Sequence, residues 1–327
     1  MVLVLTGTAV CWLAVSPCRA NMLLNPAFNV NLVNLGSVSL PVTDTTGYTY
    51  QGLAFAGQNL LLADWNPAQI SYPGTSGPFS EVLWQVAGNA NSLTGSAFAT
   101  VPTSTNFPYS IDVGGGLASG PGGVLFYSTT QGNLGEYFNG TSMLVSLTDP
   151  LNSAAGVSAL GFLPIGTSSQ LVVAFAGTNN WYLVSLAPNA NGLYNASVGS
   201  LLFSGIEATS FVYTPAAPSS GFATAGILVG DSATQMLSFY GLNAQGNVTG
   251  PGTYVIDTSG NGSIPGYGLA RDPNTGDFLF TTNDNNTQTG QIWELQLSTP
   301  EPCTALTALI ACLWLWRRRR SVIAPPS

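Results

Sequence analysis

The chain of 327 residues carries six Lys and Arg against fourteen Asp and Glu, and only 6% of it is charged while 45% is hydrophobic. It has no histidine and no lysine, the basic residues being Arg19, Arg271 and Arg317 to Arg320, which excludes a Ser-His-Asp relay, an imidazole metal site and a lysine Schiff base. A formal net charge of −8 also argues against nucleic acid as a partner, because phosphates demand basic patches.

From Val2 to Val15 the chain reads VLVLTGTAVCWLAV, the length of a signal-peptide core and too short to span a bilayer. Ser16-Pro17-Cys18-Arg19-Ala20 follows, and small side chains at Cys18 and Ala20 satisfy the cleavage rule. Signal peptidase is therefore expected to cut after Ala20, making 1–20 a signal peptide and Asn21 the first mature residue. The usual basic opening is missing, and an upstream start codon is expected to supply it.

The body, 21–299, holds Arg271 as its one basic residue and a charge of about −12. All four cysteines, Cys11, Cys18, Cys303 and Cys312, lie outside it. The body thus has no disulfide and no thiol nucleophile, and zinc and copper sites are excluded. Only an oxygen-ligated ion such as calcium is left open as a cofactor.

Short runs of Val, Leu, Phe, Tyr and Thr alternate with Gly, Asn, Ser and Pro clusters, and helical periodicity is absent, which predicts an all-β fold. One unit recurs at spacings of about 44 to about 64 residues. Its opening strands contain Gly52-Leu53-Ala54-Phe55, Gly116-Leu117-Ala118, Leu160-Gly161-Phe162-Leu163-Pro164, Ser210-Phe211-Val212-Tyr213 and Gly268-Leu269-Ala270-Arg271. Second strands follow at Leu60 to Ala63, Val124 to Tyr127, Leu171 to Phe175, Ile227 to Gly230 and Phe278 to Thr281. Third strands carry Trp84, Tyr137, Trp181, Tyr240 and Trp293. Repeats of this size with three or four strands match the blades of a β-propeller. Five blades are expected, six if Thr94 to Ile111 hides another. The last unit stops one strand short, and Asn31 to Leu40 can supply that strand and close the ring. A β-sandwich or a β-helix is the alternative.

Asp64, Asp231 and Asp284 end the second strands of three units. In a propeller such ends gather around one channel mouth, where three carboxylates could ligate calcium or act as acid and base on a sugar. The competing reading is that each caps its own turn. Trp65, next to Asp64, is the candidate for ring stacking against a ligand, whereas Trp84, Trp181 and Trp293 read as core. The spacing of Asp272, Asn274 and Asp277 loosely suits a calcium loop and better suits a hairpin turn. No residue is assigned as catalytic and none as a metal ligand.

At the far end, Pro300-Glu301-Pro302 precedes CTALTALIACLWLW, Cys303 to Trp316, and then Arg317, Arg318, Arg319 and Arg320. Fourteen helical residues reach only about 21 Å, which sits thinly in a bilayer, with the arginines on the cytoplasmic side. This tripartite order resembles the PEP-CTERM sorting signal, and 300–327 is read as that signal. The resemblance implies transient membrane insertion, an exosortase partner, and release to the periplasm, cell envelope or extracellular matrix of a bacterium. A secreted, non-enzymatic module that binds exopolysaccharide or envelope components is the expected function. The alternative is a carboxylate-dependent glycoside hydrolase or lyase acting on exopolysaccharide.

Overall fold

A computed structural model describes residues 22–41, 49–65, 79–104, 113–129, 132–153, 155–231, 233–259, 263–284 and 289–297. Residues 1–20 and 300–327 lie outside this set. Three short strands, β1 (Leu23–Leu24), β2 (Val30–Gly36) and β3 (Val38–Ser39), precede five antiparallel meanders. The first comprises β4 (Thr49–Ala56), β5 (Asn59–Trp65), β6 (Phe79–Asn89) and β7 (Ser92–Ser104). The second comprises β8 (Val113–Ser119), β9 (Leu125–Thr129), β10 (Leu134–Phe138) and β11 (Thr141–Val145). The third runs through β12 (Val157–Ile165), β13 (Ser168–Phe175), β14 (Asn180–Pro188) and β15 (Tyr194–Ser204). The fourth has β16 (Ser210–Thr214), β17 (Gly226–Asp231), β18 (Met236–Gly241) and β19 (Thr253–Asp257). In the fifth, β20 (Ser263–Arg271), β21 (Phe278–Asp284) and β22 (Thr289–Leu297) are completed by β2.

Turn chemistry sets these hairpins. Asn139 and Gly140 join β10 to β11 with φ of 47° and 82°, the paired left-handed values that a two-residue type I′ turn requires and that Asn-Gly adopts most readily.

The second strands show one face to each neighbouring meander, so in β9, β13 and β17 buried apolar residues run on without polar alternation. In β17, Ile227 and Val229 pack with Trp181 of the third sheet, while Leu228 packs with Phe278 and Phe280 of the fifth. The core is accordingly five separate wedges. Four join successive sheets, and the last unites Tyr50, Leu53 and Trp84 of the first with Ala270, Leu279 and Ile292 of the fifth. Contacts that pass from sheet to sheet and return to the start define a five-bladed β-propeller. Thr94 to Ser104 is the outer strand of blade one and no sixth blade.

The innermost strands β4, β8, β12, β16 and β20 stand side by side around the axis. Five strands make a narrow ring, and glycine is needed where backbones meet. A Cβ on Gly116 would lie 2.8 Å from the amide nitrogen of Leu160, and one on Gly268 would lie 2.7 Å from that of Leu53. Both glycines lie within a break in strand register, between Val113 and Leu117 and between Pro265 and Leu269, that frees their N–H groups. Hydroxyls on the next strand accept them: Gly116 donates to Ser128 Oγ at 3.0 Å and Gly268 to Thr281 Oγ1 at 2.8 Å.

Closure comes from the N-terminal segment. β2 pairs with β22 from Val30↔Leu297 to Gly36↔Ile292, and β1 adds a fifth strand to blade four through Leu23↔Asp257. The expected closing strand, Asn31 to Leu40, is divided. Gly36 turns the chain at φ 93°, and Val38–Ser39 runs parallel to Leu93 and Thr94 on the outer edge of blade one.

Candidate functional site

All five inner strands contribute to one cavity, Leu53 to Phe55 of β4, Leu117 to Ser119 of β8, Gly161 and Phe162 of β12, Phe211 and Val212 of β16 and Leu269 to Arg271 of β20. As the innermost strands of five antiparallel meanders they run the same way along the axis. The channel then has two chemically different mouths. At the entry mouth the inner strands begin and the second strands end. At the exit mouth the inner strands end.

The entry mouth receives the three aspartates. Asp64 is the penultimate residue of β5, opposite Tyr50, Asp231 ends β17 opposite Met236, and Asp284 ends β21 opposite Ser263 and Thr289. They belong to blades one, four and five, which are consecutive once the ring is closed. The side chains of Asp64, Trp65 and Asp284 lie outside the described residues, as do Ala20, Pro300, Glu301, Pro302 and Arg317 to Arg320.

A side-chain clamp joins two of these strand ends. Asn283, beside Asp284, accepts the N–H of Tyr50 at 2.8 Å and donates to its carbonyl at 2.9 Å. Tyr50 lies directly across from Asp64, so the clamp fixes the ends of β5 and β21 against each other. Asp231 has a different task, because Oδ1 accepts the N–H of Ala233 at 2.8 Å and Oδ2 accepts the hydroxyl of Thr234 at 2.7 Å. It holds its own loop in shape.

A carboxylate that the sequence did not single out lies between blades two and three. Asp149 is 1% exposed and accepts hydrogen bonds from Tyr182 Oη, Asn180 Nδ2 and the Leu151 amide, each at 2.8 Å. Burial raises its pKa, and hydrogen bonds from Thr178, Asn180, Leu151 and Tyr182 outweigh that and bring it down to about 2. The same contact and burial push the Tyr182 phenol up to about 12. Asp-Pro in a loop signals a turn, and only the tertiary contact with Tyr182 shows this to be an interblade anchor.

Glu136 on β10 is fully buried. Its Oε2 accepts the Tyr194 N–H of blade three at 2.7 Å, while Oε1 has no partner among the described residues. Burial lifts its pKa to about 6 against the opposing Tyr194 hydrogen bond. The folded state therefore binds more protons than the unfolded one between pH 4.5 and about 6, and stability falls as pH rises through that window. The expected loss is about 1–2 kcal/mol, complete above pH 6. Urea unfolding at pH 4.5 and 7 should show it in the native chain and not in Glu136→Gln.

Among the described residues no cluster of three acids is placed to hold a metal ion. Asp272 Oδ1 accepts the N–H of Asn274 at 2.7 Å, and Asp277 Oδ1 accepts that of Leu297 at 2.7 Å. That loop is a hairpin turn tied to the last strand.

The exit mouth holds a cavity of about 190 Å³ lined by Leu53, Phe55, Leu117, Phe162, Phe211 and Arg271, among others. Its side chains are mostly apolar, with Ser119 and the Arg271 guanidinium as the polar ones.

No family model and no curated protein matches the sequence. Among solved structures, a glucose dehydrogenase is 12% identical with a TM-score of 0.47, the match covering 85% of this chain and 95% of that one. The periplasmic gluconolactonase PpgL of Pseudomonas aeruginosa is 10% identical with a TM-score of 0.34, covering 83% of this chain and 98% of its own. At such identity the likeness is one of fold. Both of those proteins are named as enzymes, which runs against the expectation of a non-enzymatic body. Among the described residues no helix is long and apolar enough to cross a membrane.

Proposed function

We propose that the protein is an exported, exosortase-processed propeller enzyme, a carboxylate-dependent glycoside hydrolase or lyase that works on exopolysaccharide at the entry mouth. The observation that carries this reading is the Tyr50–Asn283 clamp, which locks together the strand ends bearing Asp64 and Asp284. Two carboxylates from neighbouring blades supply what the chemistry needs, one to donate a proton to the leaving oxygen and one to act as base or nucleophile. In a hydrolase, roughly 5–5.5 Å between the carboxyl groups directs retention, and roughly 6.5–9.5 Å leaves room for water and inversion. Trp65 follows Asp64 and offers a ring face for a sugar. Asp231 keeps the neighbouring loop in place and contributes negative charge.

The signal peptide delivers the chain across the membrane, and the Pro300-Glu301-Pro302, apolar and Arg317 to Arg320 series hands it to exosortase. No described histidine or thiol competes for the chemistry, which leaves it to carboxylates.

Purified full-length protein should release reducing ends, or unsaturated uronic ends in the lyase case, from the producer's exopolysaccharide. Asp64→Asn and Asp284→Asn should each lower that rate by about 10²–10⁴-fold, and Asp231→Asn by much less. A native protein that yields neither product, or an Asp64→Asn, Asp284→Asn double variant of undiminished rate, defeats the reading.

A further inference from the structure

We propose that the exit mouth is a second binding site, built for a small organic anion with an apolar body. Blades one to five contribute Leu53 and Phe55, Leu117, Phe162, Phe211 and Leu269 to an apolar cup, and Arg271 stands at its edge. No other basic residue occurs between Arg19 and Arg317, so this is the body's single centre of positive charge.

The guanidinium is held in position. Arg271 Nε donates to the carbonyl of Gly276 at 3.1 Å, across a turn that Gly276 enters at φ 83°. A Cβ at Gly276 would meet Nη2 at 2.9 Å, so glycine there makes room for the arginine head. A guanidinium has five N–H donors, and one is used. Among the described residues the other four have no partner.

The neighbouring acids are engaged in their own turn. Asp272 Oδ1 is occupied by the amides of Asn274 and Thr275, and Asp277 Oδ1 by that of Leu297. Neither acid lines the cavity. A partly desolvated guanidinium with free donors beside an apolar wall recognises a carboxylate through two parallel hydrogen bonds, while the wall takes hydrocarbon. The mouth is half open to solvent, so its volume sets the scale of the part of the guest that is buried. A dry cavity of about 150 Å³ accepts benzene, so about 190 Å³ accepts an aromatic ring with a carboxylate, or a branched acid of similar bulk. This mouth is at the opposite end of the channel from Asp64, Asp231 and Asp284, and its occupancy is independent of turnover there.

The test uses purified full-length protein with benzoate and phenylacetate as probes, and neutral benzamide as control, followed by calorimetry and ligand-observed NMR. Saturable binding of the two acids, at least tenfold weaker binding of benzamide and a loss of about 10–100-fold in Arg271→Gln support the site. Ala118→Phe fills the cup from blade two and should block the acids while Arg271 stays in place. Each variant is melted alongside, so that a failure to fold is separated from a failure to bind. Equal binding of acid and amide, or no binding of either acid at millimolar concentration to a folded protein, overturns the proposal. Asp64→Asn and Asp284→Asn should leave acid binding unchanged, which distinguishes failure here from failure of the enzymatic reading.

Discussion

A chain that begins at Ser37 is expected to lose cooperative unfolding altogether. Residues 22–36 supply the outer strand of blade five and the edge strand of blade four. They also supply Phe28, 7% exposed, with its ring 4.9 Å from that of Phe222. Losing a buried Phe costs about 3–5 kcal/mol, and each ladder hydrogen bond adds about 0.5–1.5. The sum is about 10 kcal/mol, comparable to the whole stability of a typical domain. Near-UV circular dichroism of the truncated chain should be featureless, and a synthetic peptide of residues 22–37 should restore it. A truncated protein that melts within a few degrees of the native one would show that the ring closes without this strand.

Trp181→Ala should be the most damaging single substitution in the core, at about 5 kcal/mol. Trp181 is fully buried, its ring 4.6 Å from Phe211 across the blade three to four wedge and 4.9 Å from Phe203. Nε1 donates to the Ile206 carbonyl at 2.8 Å. Truncation opens a cavity worth about 3–5 kcal/mol and strands a buried carbonyl for about 1 kcal/mol more. A fall of roughly 10–15 °C in Tm is the expected reading for a domain of this size, and Trp181→Phe should recover half or more. A change below 3 °C for the alanine variant would contradict the wedge description.

Much of this architecture is written in local patterns. The repeated Gly-Leu-Ala of Gly52, Gly116 and Gly268 marks inner strands, and at Gly116 and Gly268 a Cβ would meet the neighbouring backbone. Trp84, Trp181 and Trp293 mark third strands because a wide wedge needs a large side chain. The division of Asn31 to Leu40 at Gly36 was not legible, since both halves are equally strand-like and the branch is decided by which sheet edge each meets. The three aspartates could be assigned to one mouth from strand position alone. Asp149, Glu136 and the setting of Arg271 could not, because each depends on a residue far away in sequence, such as Tyr182, Tyr194 or Phe211. A lone base in an acidic body was the one available signal for Arg271.

The pairing of Val30 with Leu297 gives the body a mechanical character. Where the first and last strands lie antiparallel with their outer ends side by side, a pull on both ends does not shear the ladder. It peels the hydrogen bonds apart singly, after first stripping Leu23–Leu24 from β19. A load applied to one end alone never reaches that seam. The propeller is therefore suited to hang from a single tether, and unsuited to serve as a link in a chain under tension.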